Sequence, residues 1–302
     1  MARAASVKLA LASARRNLTP IHFDAPVRRA LAALVVACVV ISPTAPANAQ
    51  IPHVSAASAV VVDGWTGAVL YAKNPDSARA PASTTKIMTA LVVLESRIPM
   101  NRVVTVSSLA ASYGGSTAGL YAGERMTVWD LMHGMLLPSG NDAAVALAEA
   151  TTGSLSAFVS AMNRLAHQLG LWHTHFLTPT GLDVVGQQTT ARELARLSLY
   201  VMQRPRFLRI VRTHSWTVRD AYGRVIHYWT NLNRLLWTLP GADGVKTGTT
   251  PLAGACLVSS DRIHGRWVLA VNLGSTVAAR FSDGSTLLNL GLSRASTAPS
   301  AR

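Results

Sequence analysis

The sequence predicts an α+β fold: an antiparallel sheet flanked by helices, with a helical subdomain inserted between its parts. Three observations carry this. A short apolar hairpin comes early, over residues 58–72. A series of segments with helical spacing follows it. After about residue 213 the pattern changes to short apolar runs of strand length and one last helix. Early and late strands with helices between them form one sheet if the hairpin pairs with the late strands, which is an α+β architecture.

The elements follow in order. Residues 58–63 and 67–72 flank Gly64-Trp65-Thr66-Gly67, a short glycine-containing turn of the kind that closes hairpins. Pro81-Ala82 lead into a segment at 83–95 with Ile87, Met88, Leu91 and Leu94 at the spacing of a buried helix. Segments 127–137 and 141–150 read as two more helices, broken at Pro138-Ser139-Gly140. Segment 156–169 carries Phe158, Met162, Leu165, Ala166 and Leu169 on one face, and Gly170 can end it. Segment 190–203 is a further helix, stopped before Pro205. Residues 215–218 and 225–228 read as short strands, and 244–249, 253–259 and 266–274 as a meander of core strands. A helix near 278–291 closes the pattern. The insertion spans roughly 100–212, and the tail at 293–302 is expected to be disordered.

Composition excludes several classes. The chain has 302 residues, 49% apolar and 14% charged, so it is no disordered solvating chain and is long enough to bury a core. Two cysteines cannot make a disulfide scaffold or a four-cysteine zinc site. The net charge is +14, of which +9 lies after residue 49. Such a balance suits an anionic polymer such as a cell wall, a membrane surface or nucleic acid. Four or more adjacent Lys/Arg occur nowhere, so nucleic acid is not the expected partner.

Residues 1–49 read as a signal peptide. Arg28-Arg29 precede twelve apolar residues at 30–41, too few for the ~20 of a spanning helix. Ala47-Asn48-Ala49 follows as an Ala-x-Ala site, with cleavage expected before Gln50. A buried helix or an uncleaved anchor is the plainer alternative. Val35-Val36-Ala37-Cys38 loosely offers another, a lipoprotein-type site. Cys256, in Gly254-Ala255-Cys256-Leu257-Val258, reads as strand core.

Lysine usage points to chemistry. The chain has four lysines (Lys8, Lys73, Lys86, Lys246) against 24 arginines, so lysine stands where more than positive charge is needed. In Ser83-Thr84-Thr85-Lys86, residues i and i+3 share a helix face, which lets the amine approach the hydroxyl. A neutral amine can serve as the base a serine nucleophile needs, and burial or a second cation keeps it neutral. Read alone, the motif equally describes a helix cap and a lysine reaching to solvent. Lys246, in Gly244-Val245-Lys246-Thr247-Gly248-Thr249, sits on an expected core strand, where a lysine is costly unless it faces a cleft. Gly248 lets a ligand approach that backbone. Pro138-Ser139-Gly140-Asn141-Asp142 is a polar turn between helices, and Ser139 or Asn141 could simply cap.

Together, and in this order, the three elements resemble the penicillin-binding, serine-type D-alanyl-D-alanine carboxypeptidases. The likeness runs over roughly 55–292 and includes ASTTKIMTAL at 82–91, LLPSGNDAAVALAE at 136–149, TPTGLD at 178–183 and GVKTG at 244–248. It implies a β-lactamase/transpeptidase-like fold over a peptidase domain at 50–292. It also implies a serine D,D-carboxypeptidase that removes terminal D-alanine from peptidoglycan stem peptides. By motif, Ser83 would be the acylated nucleophile, Lys86 its base and Ser139 a proton relay toward the leaving amine. Asn141 would hold Lys86 and the substrate amide. Lys246 would bias Lys86 toward neutrality and attract the terminal carboxylate, with Thr247, Gly248 and Thr249 lining the strand. Backbone N–H groups of Ser83 and Thr249 would form the oxyanion hole. β-Lactams would be covalent inhibitors, and no cofactor or metal is implied.

Departures from the family pattern shape the remaining expectations. Larger members carry a second, β-rich domain and a C-terminal amphipathic anchor; about ten residues follow the last expected helix here. No stable membrane anchor is therefore expected, and the enzyme is placed outside the cytoplasm, periplasmic or extracellular at the cell wall. Gly140 stands where class A β-lactamases usually carry Asp, and no Glu-x-x-Leu-Asn stretch occurs. A D,D-endopeptidase of the same family, or a β-lactam-sensing or wall-binding module without turnover, are the alternatives. His173-Thr174-His175 has strand spacing for two ligands on one face, but no third lies close in sequence. Arg204, Arg206, Arg209 and Arg212 read as a solvated face, with anionic wall polymer as the other possibility.

Overall fold

A computed structural model describes residues 53–297. The leader with its Ala49 site, and residues 298–302, lie outside the described residues. The early hairpin is β1 (Ser58–Asp63) and β2 (Val69–Lys73). The late meander is β7 (Ala242–Thr250), β8 (Gly254–Ile263) and β9 (Arg266–Ser275). They form one five-stranded sheet in the order β2-β1-β9-β8-β7, with β1 antiparallel to β9. The first and last parts of the domain thus meet at the centre of the sheet.

Strand periodicity explains why this sheet is buried on both faces. Alternate residues of a strand point to opposite sides. Val60 and Val62 of β1, Cys256 and Val258 of β8, and Leu269, Val271 and Leu273 of β9 face the larger core with the helices. Ala59 and Val61, Leu257, Val268 and Ala270 face a smaller core covered by the C-terminal helix, α9 (Arg280–Arg294), through Leu287 and Leu288. Near-continuous apolar runs suit strands covered on both faces. Asp283 of α9 ties this layer to the start of the domain: its carboxylate accepts from the Ser55 and Ala56 N–H groups and from the Ser55 and Ser275 hydroxyls.

On the other side, a 3₁₀ turn (Ala82–Thr85) runs into α1 (Lys86–Glu95), buried from Lys86 through Val93. A helix apolar around its circumference belongs in a core. The chain then passes through a ribbon of β3 (Val103–Thr105) and β4 (Arg125–Thr127), with α2 (Ser108–Ala111) between them. Next come α3 (Val128–Leu136), α4 (Asn141–Thr152), α5 (Leu155–Gln168), α6 (Ala191–Met202) and α7 (Pro205–Val211). Thr127, Ser154 and Thr190 cap α3, α5 and α6 by accepting from the N–H three residues on. Before returning to the sheet the chain forms the hairpin of β5 (Ser215–Arg219) and β6 (Val225–Thr230) and the short α8 (Leu235–Thr238).

Two boundaries differ from the sequence expectation. The insertion does not stop near 212, because β5 and β6 pair only with each other and lie outside the main sheet. The tail expected to be disordered from 293 is ordered to 297. Helix α9 extends to Arg294, the Ser296 N–H donates to Asp63 Oδ2, and Thr297 bridges to Arg266. Polar composition hid these contacts, which run from the tail's backbone to partners far away in sequence. Among the described residues no single helix is long and apolar enough to cross a membrane.

One turn fits against the 3₁₀ segment with no space to spare. Gly181 stands at φ +86°, and a Cβ there would lie 1.9 Å from the Ala82 carbonyl oxygen. Gly181→Ala should therefore destabilise the fold by roughly 2–4 kcal/mol, from overpacking together with left-handed strain. A urea midpoint equal to that of the parent protein would contradict this close approach.

Candidate active site

Lys86 begins α1 and is fully buried. Its Nζ lies 3.0 Å from Ser83 Oγ, 2.6 Å from Asn141 Oδ1 and 2.7 Å from the Thr180 carbonyl oxygen. The first contact spans i to i+3 at a helix start, as the sequence spacing requires. The second comes from the first residue of α4, and the third from the turn at 178–181. Neither solvent-reaching lysine nor serine cap is observed: the 3₁₀ turn and α1 have no side-chain cap. Burial, and then the positive charge of Lys246, push the Lys86 amine well below its ordinary pKa; Asp142 opposes them.

Backbone strain occurs beside Ser83 and at Ser139. Ala82, immediately before Ser83, stands at φ +48° and Ser139 at φ +67°. A non-glycine residue held there costs roughly 1–3 kcal/mol, and such strain concentrates at functional sites. Ser139 does not cap α4 either, and its buried Oγ has no hydrogen-bond partner among the described residues. An unpaired buried hydroxyl is unfavourable unless it has work to do with a ligand or a proton.

Asn141 is oriented from two sides. Its Nδ2 donates to the Gly114 carbonyl at 2.7 Å and its N–H to the Ser116 carbonyl at 2.7 Å, which aims Oδ1 at Lys86. The loop supplying those carbonyls is fastened by the next residue, the fully buried Asp142. Its carboxylate accepts from Thr117 Oγ1 and from the N–H groups of Ala118, Leu120 and Ala143. Gly140 is required beside it, since a Cβ would meet Asp142 Oδ1 at 2.6 Å and Ala118 at 2.8 Å.

Strand β7, an edge of the sheet, brings the third motif against the 3₁₀ turn. A Cβ on Gly248 would stand 2.8 Å from the Ser83 nitrogen and 2.9 Å from the Ala82 Cβ. Lys246 is buried and donates to the Thr247 carbonyl at 2.9 Å. Burial, and then the nearby Arg280, push its amine down to about 7. Thr249 is exposed; its hydroxyl donates to the Gly248 carbonyl and accepts from Arg280 Nη1 at 2.7 Å.

The residues expected from sequence are thus gathered in one place: Lys86 in contact with both Ser83 and Asn141, Ser139 on the turn before Asn141, and Lys246–Thr249 on the adjoining strand edge. Sequence reasoning gave no role to three further contributors. Thr180 acts through its carbonyl, which any residue carries, although its TPTGLD stretch carries part of the family resemblance. Asp142 neighbours a named residue. Arg280 is distant in sequence and reaches the strand only through the fold. The His173-Thr174-His175 segment lies elsewhere, with His173 Nδ1 3.0 Å from Glu193. Among the described residues no three metal-ligating side chains converge.

Asp142 offers a direct test of the electrostatics. Asp142→Asn removes the charge that supports protonation of Lys86, so the Lys86 titration midpoint should fall further. Only four lysines occur in the chain, which makes side-chain NMR titration of labelled lysine feasible. A midpoint that stays in place or rises would refute the assignment.

Comparison with known proteins adds identity to this geometry. The D-alanyl-D-alanine carboxypeptidase family model, peptidase family S11, matches residues 45–277. The chain is 38% identical to the D-alanyl-D-alanine carboxypeptidase DacF of Bacillus subtilis, over 83% of this chain and 66% of that relative's length. It is 36% identical to a D-alanyl-D-alanine carboxypeptidase of Streptomyces sp. strain K15, over 80% of this chain and 88% of the relative. The crystal structure of the Streptomyces K15 DD-transpeptidase superimposes with a TM-score of 0.77 at 35% identity, covering 80% of this chain and 98% of that one. The motifs, the α+β fold and the matched length agree, and the chain belongs to the D-alanyl-D-alanine carboxypeptidase family.

Proposed function

We propose that the protein is an exported serine D,D-carboxypeptidase that removes the terminal D-alanine from peptidoglycan stem peptides through an acyl-enzyme on Ser83. Residues 50–292 form the peptidase domain, and residues 1–49 the leader that takes it to the cell wall. The observation that carries this reading is the buried Lys86 amine 3.0 Å from Ser83 Oγ. A neutral amine has two N–H donors and one lone pair. Asn141 Oδ1 and the Thr180 carbonyl are acceptors and take the two N–H groups. The lone pair is then left for the Ser83 hydroxyl, which is the arrangement a general base requires.

The reaction follows from that arrangement. Ser83 Oγ attacks the carbonyl carbon of the penultimate residue as its proton passes to Lys86 Nζ. Backbone N–H groups of Ser83 and Thr249 stabilise the developing oxyanion. The proton returns by way of Ser139 to the leaving nitrogen, the C–N bond breaks and D-alanine departs. The unpaired Ser139 hydroxyl supports this relay. Water then attacks the ester, with Lys86 again taking the proton. Lys246, with Thr247, Gly248 and Thr249 along β7, receives the terminal carboxylate, and Asn141 holds the substrate amide. β-Lactams acylate the same serine.

Ser83→Ala should abolish labelling by a fluorescent penicillin, and Lys86→Arg should slow acylation by at least ~10²-fold, since arginine keeps its proton. Labelling that survives the first change, or a rate within about tenfold of the parent after the second, would sink the nucleophile–base assignment. Substrate choice is read by incubating the enzyme with a pentapeptide and with a cross-linked muropeptide. D-alanine release from the pentapeptide is the expected dominant product, and cleavage of the cross-link alone would make it an endopeptidase.

A last outcome concerns pH. Lys246 is protonated below its pKa and neutral above it, so its attraction for a carboxylate is present at low pH and lost through about 7. The parameter kcat/KM, which reports the free enzyme, should decline on that alkaline side. In Lys246→Arg the decline should move to markedly higher pH. An unmoved decline would assign it to another group.

A further inference from the structure

The arginine-rich segment after α6 divides into used and unused charges. Arg204 is bound to Glu95, with Nε at 3.0 Å and Nη2 at 2.9 Å, and lies over the Tyr200 ring. Arg206 and Arg209 make no ion pair within the described residues. Both are exposed, and both line a groove of about 320 Å³ between α3 and α7, whose other walls are Met100, Trp129 and Pro205. The Arg209 guanidinium stands 5.5 Å from the centre of the Trp129 ring. The neighbouring carboxylate is already engaged: Asp130 accepts from Trp216 Nε1 and from Thr127 Oγ1. The groove therefore presents an apolar wall bordered by two cations that form no ion pair among the described residues, with the Asp130 carboxylate turned to neutral donors.

We propose that this groove is a binding site for an anionic polysaccharide, which holds the enzyme on its wall. The chemistry is complementary on both counts. A sugar ring has an apolar C–H face that packs against an indole, as aromatic side chains with large rigid surfaces do at carbohydrate and protein interfaces. A carboxylate or phosphate on the sugar meets guanidinium forks, which bind planar or tetrahedral anions in pairs of charge-assisted hydrogen bonds. A flat cationic surface would attract any polyanion, whereas a groove walled by Trp129, Met100 and Pro205 rewards one with a ring to bury.

The position suits a docking role. Trp129 stands near the start of α3, and the chain from the end of α3 leads directly into Ser139. At ~1.5 Å per residue the groove lies roughly 12 Å along the α3 axis from the turn that carries Ser139. A peptide of five residues reaches at most about 18 Å when extended. A polymer seated in the groove can therefore stay engaged while a peptide branching from it, or from a strand beside it, enters the reactive centre. This purpose rests on the peptidase reading above; the binding itself does not, and is measured without turnover.

The test uses immobilised polygalacturonate, a polysaccharide with one carboxylate per ring. Neutral dextran and polyglutamate supply the ring without charge and the charge without ring. Binding is measured on the whole protein at 0.15 M salt, where surface charges more than ~8 Å apart are largely screened. Polygalacturonate should bind at least about tenfold more tightly than either control polymer, and the double variant Arg206→Ala/Arg209→Ala should lose at least about tenfold of that affinity. A variant of equal charge loss elsewhere, Arg164→Ala/Arg224→Ala, should change it by less than about threefold. All three proteins should release D-alanine from a soluble pentapeptide at the same rate. Equal affinity for polyglutamate and polygalacturonate would reduce the effect to charge and overturn the proposal. So would parent-like affinity in the groove variant, or an equal loss in the control variant.

Discussion

A lysine amine with no exposure to solvent is the constraint on which the rest of the site depends. A charged ammonium there would carry a desolvation penalty of several kcal/mol. The protein meets it with three oxygens at hydrogen-bond distance of Lys86 Nζ, each from a different part of the chain. The 3₁₀ turn gives the serine hydroxyl, the start of α4 the asparagine amide, and the 178–181 turn a carbonyl. None of these elements is adjacent in sequence to another. The layers around them fix their distances: α1 is buried along nearly its whole length, and the sheet behind it is covered on both faces.

Close approach, rather than any single strong bond, brings the pieces together. Gly140, Gly181 and Gly248 each lie where a Cβ would collide with backbone or with a fixed carboxylate. The three sit respectively beside Asp142, against Ala82 and against Ser83. Each allows two backbones to approach more closely than side chains permit. Asp142 then adds a negative charge with four local donors and, among the described residues, no cationic partner in hydrogen-bond contact. It thereby serves two ends, fastening the loop that aims Asn141 and tempering the loss of basicity that burial imposes on Lys86.

Much of this was legible in the sequence, and the limits have physical causes. Strands β1, β8 and β9 read as apolar runs because both of their faces are covered. Helices α5 and α6 read clearly because each has one buried face and a capping Ser or Thr. The ribbon of β3 and β4 has three residues per strand, too few to show any period. Lys86 and Lys246 stood out because lysine is scarce in this chain, Ser83 because it lies three residues before one of them, and Asn141 because it belongs to a polar turn between two helices. The Thr180 carbonyl could not stand out, since a main-chain acceptor has no signature in residue type. Arg280 was hidden differently: one arginine among 24 acquires meaning only when α9 carries it to Thr249.

That arginine also explains why the strand edge has two kinds of cation. Lys246 is a buried amine brought near neutrality by its surroundings. Arg280 is partly exposed, and although burial lowers its pKa, a guanidinium starts so high that it stays charged. In the proposed mechanism, a site with lysine alone would lose its entire attraction for a carboxylate once the amine discharged. With Arg280 on the Thr249 hydroxyl and 3.3 Å from the Gly248 carbonyl, part of the field at that end persists. The same charge has a cost, because it is the neighbour that helps drive the Lys246 proton off. The arrangement therefore trades some of the lysine's charge for a cation that does not titrate. It leaves Lys246 free to respond to what binds: a carboxylate arriving beside it would restore the proton that burial and Arg280 disfavour.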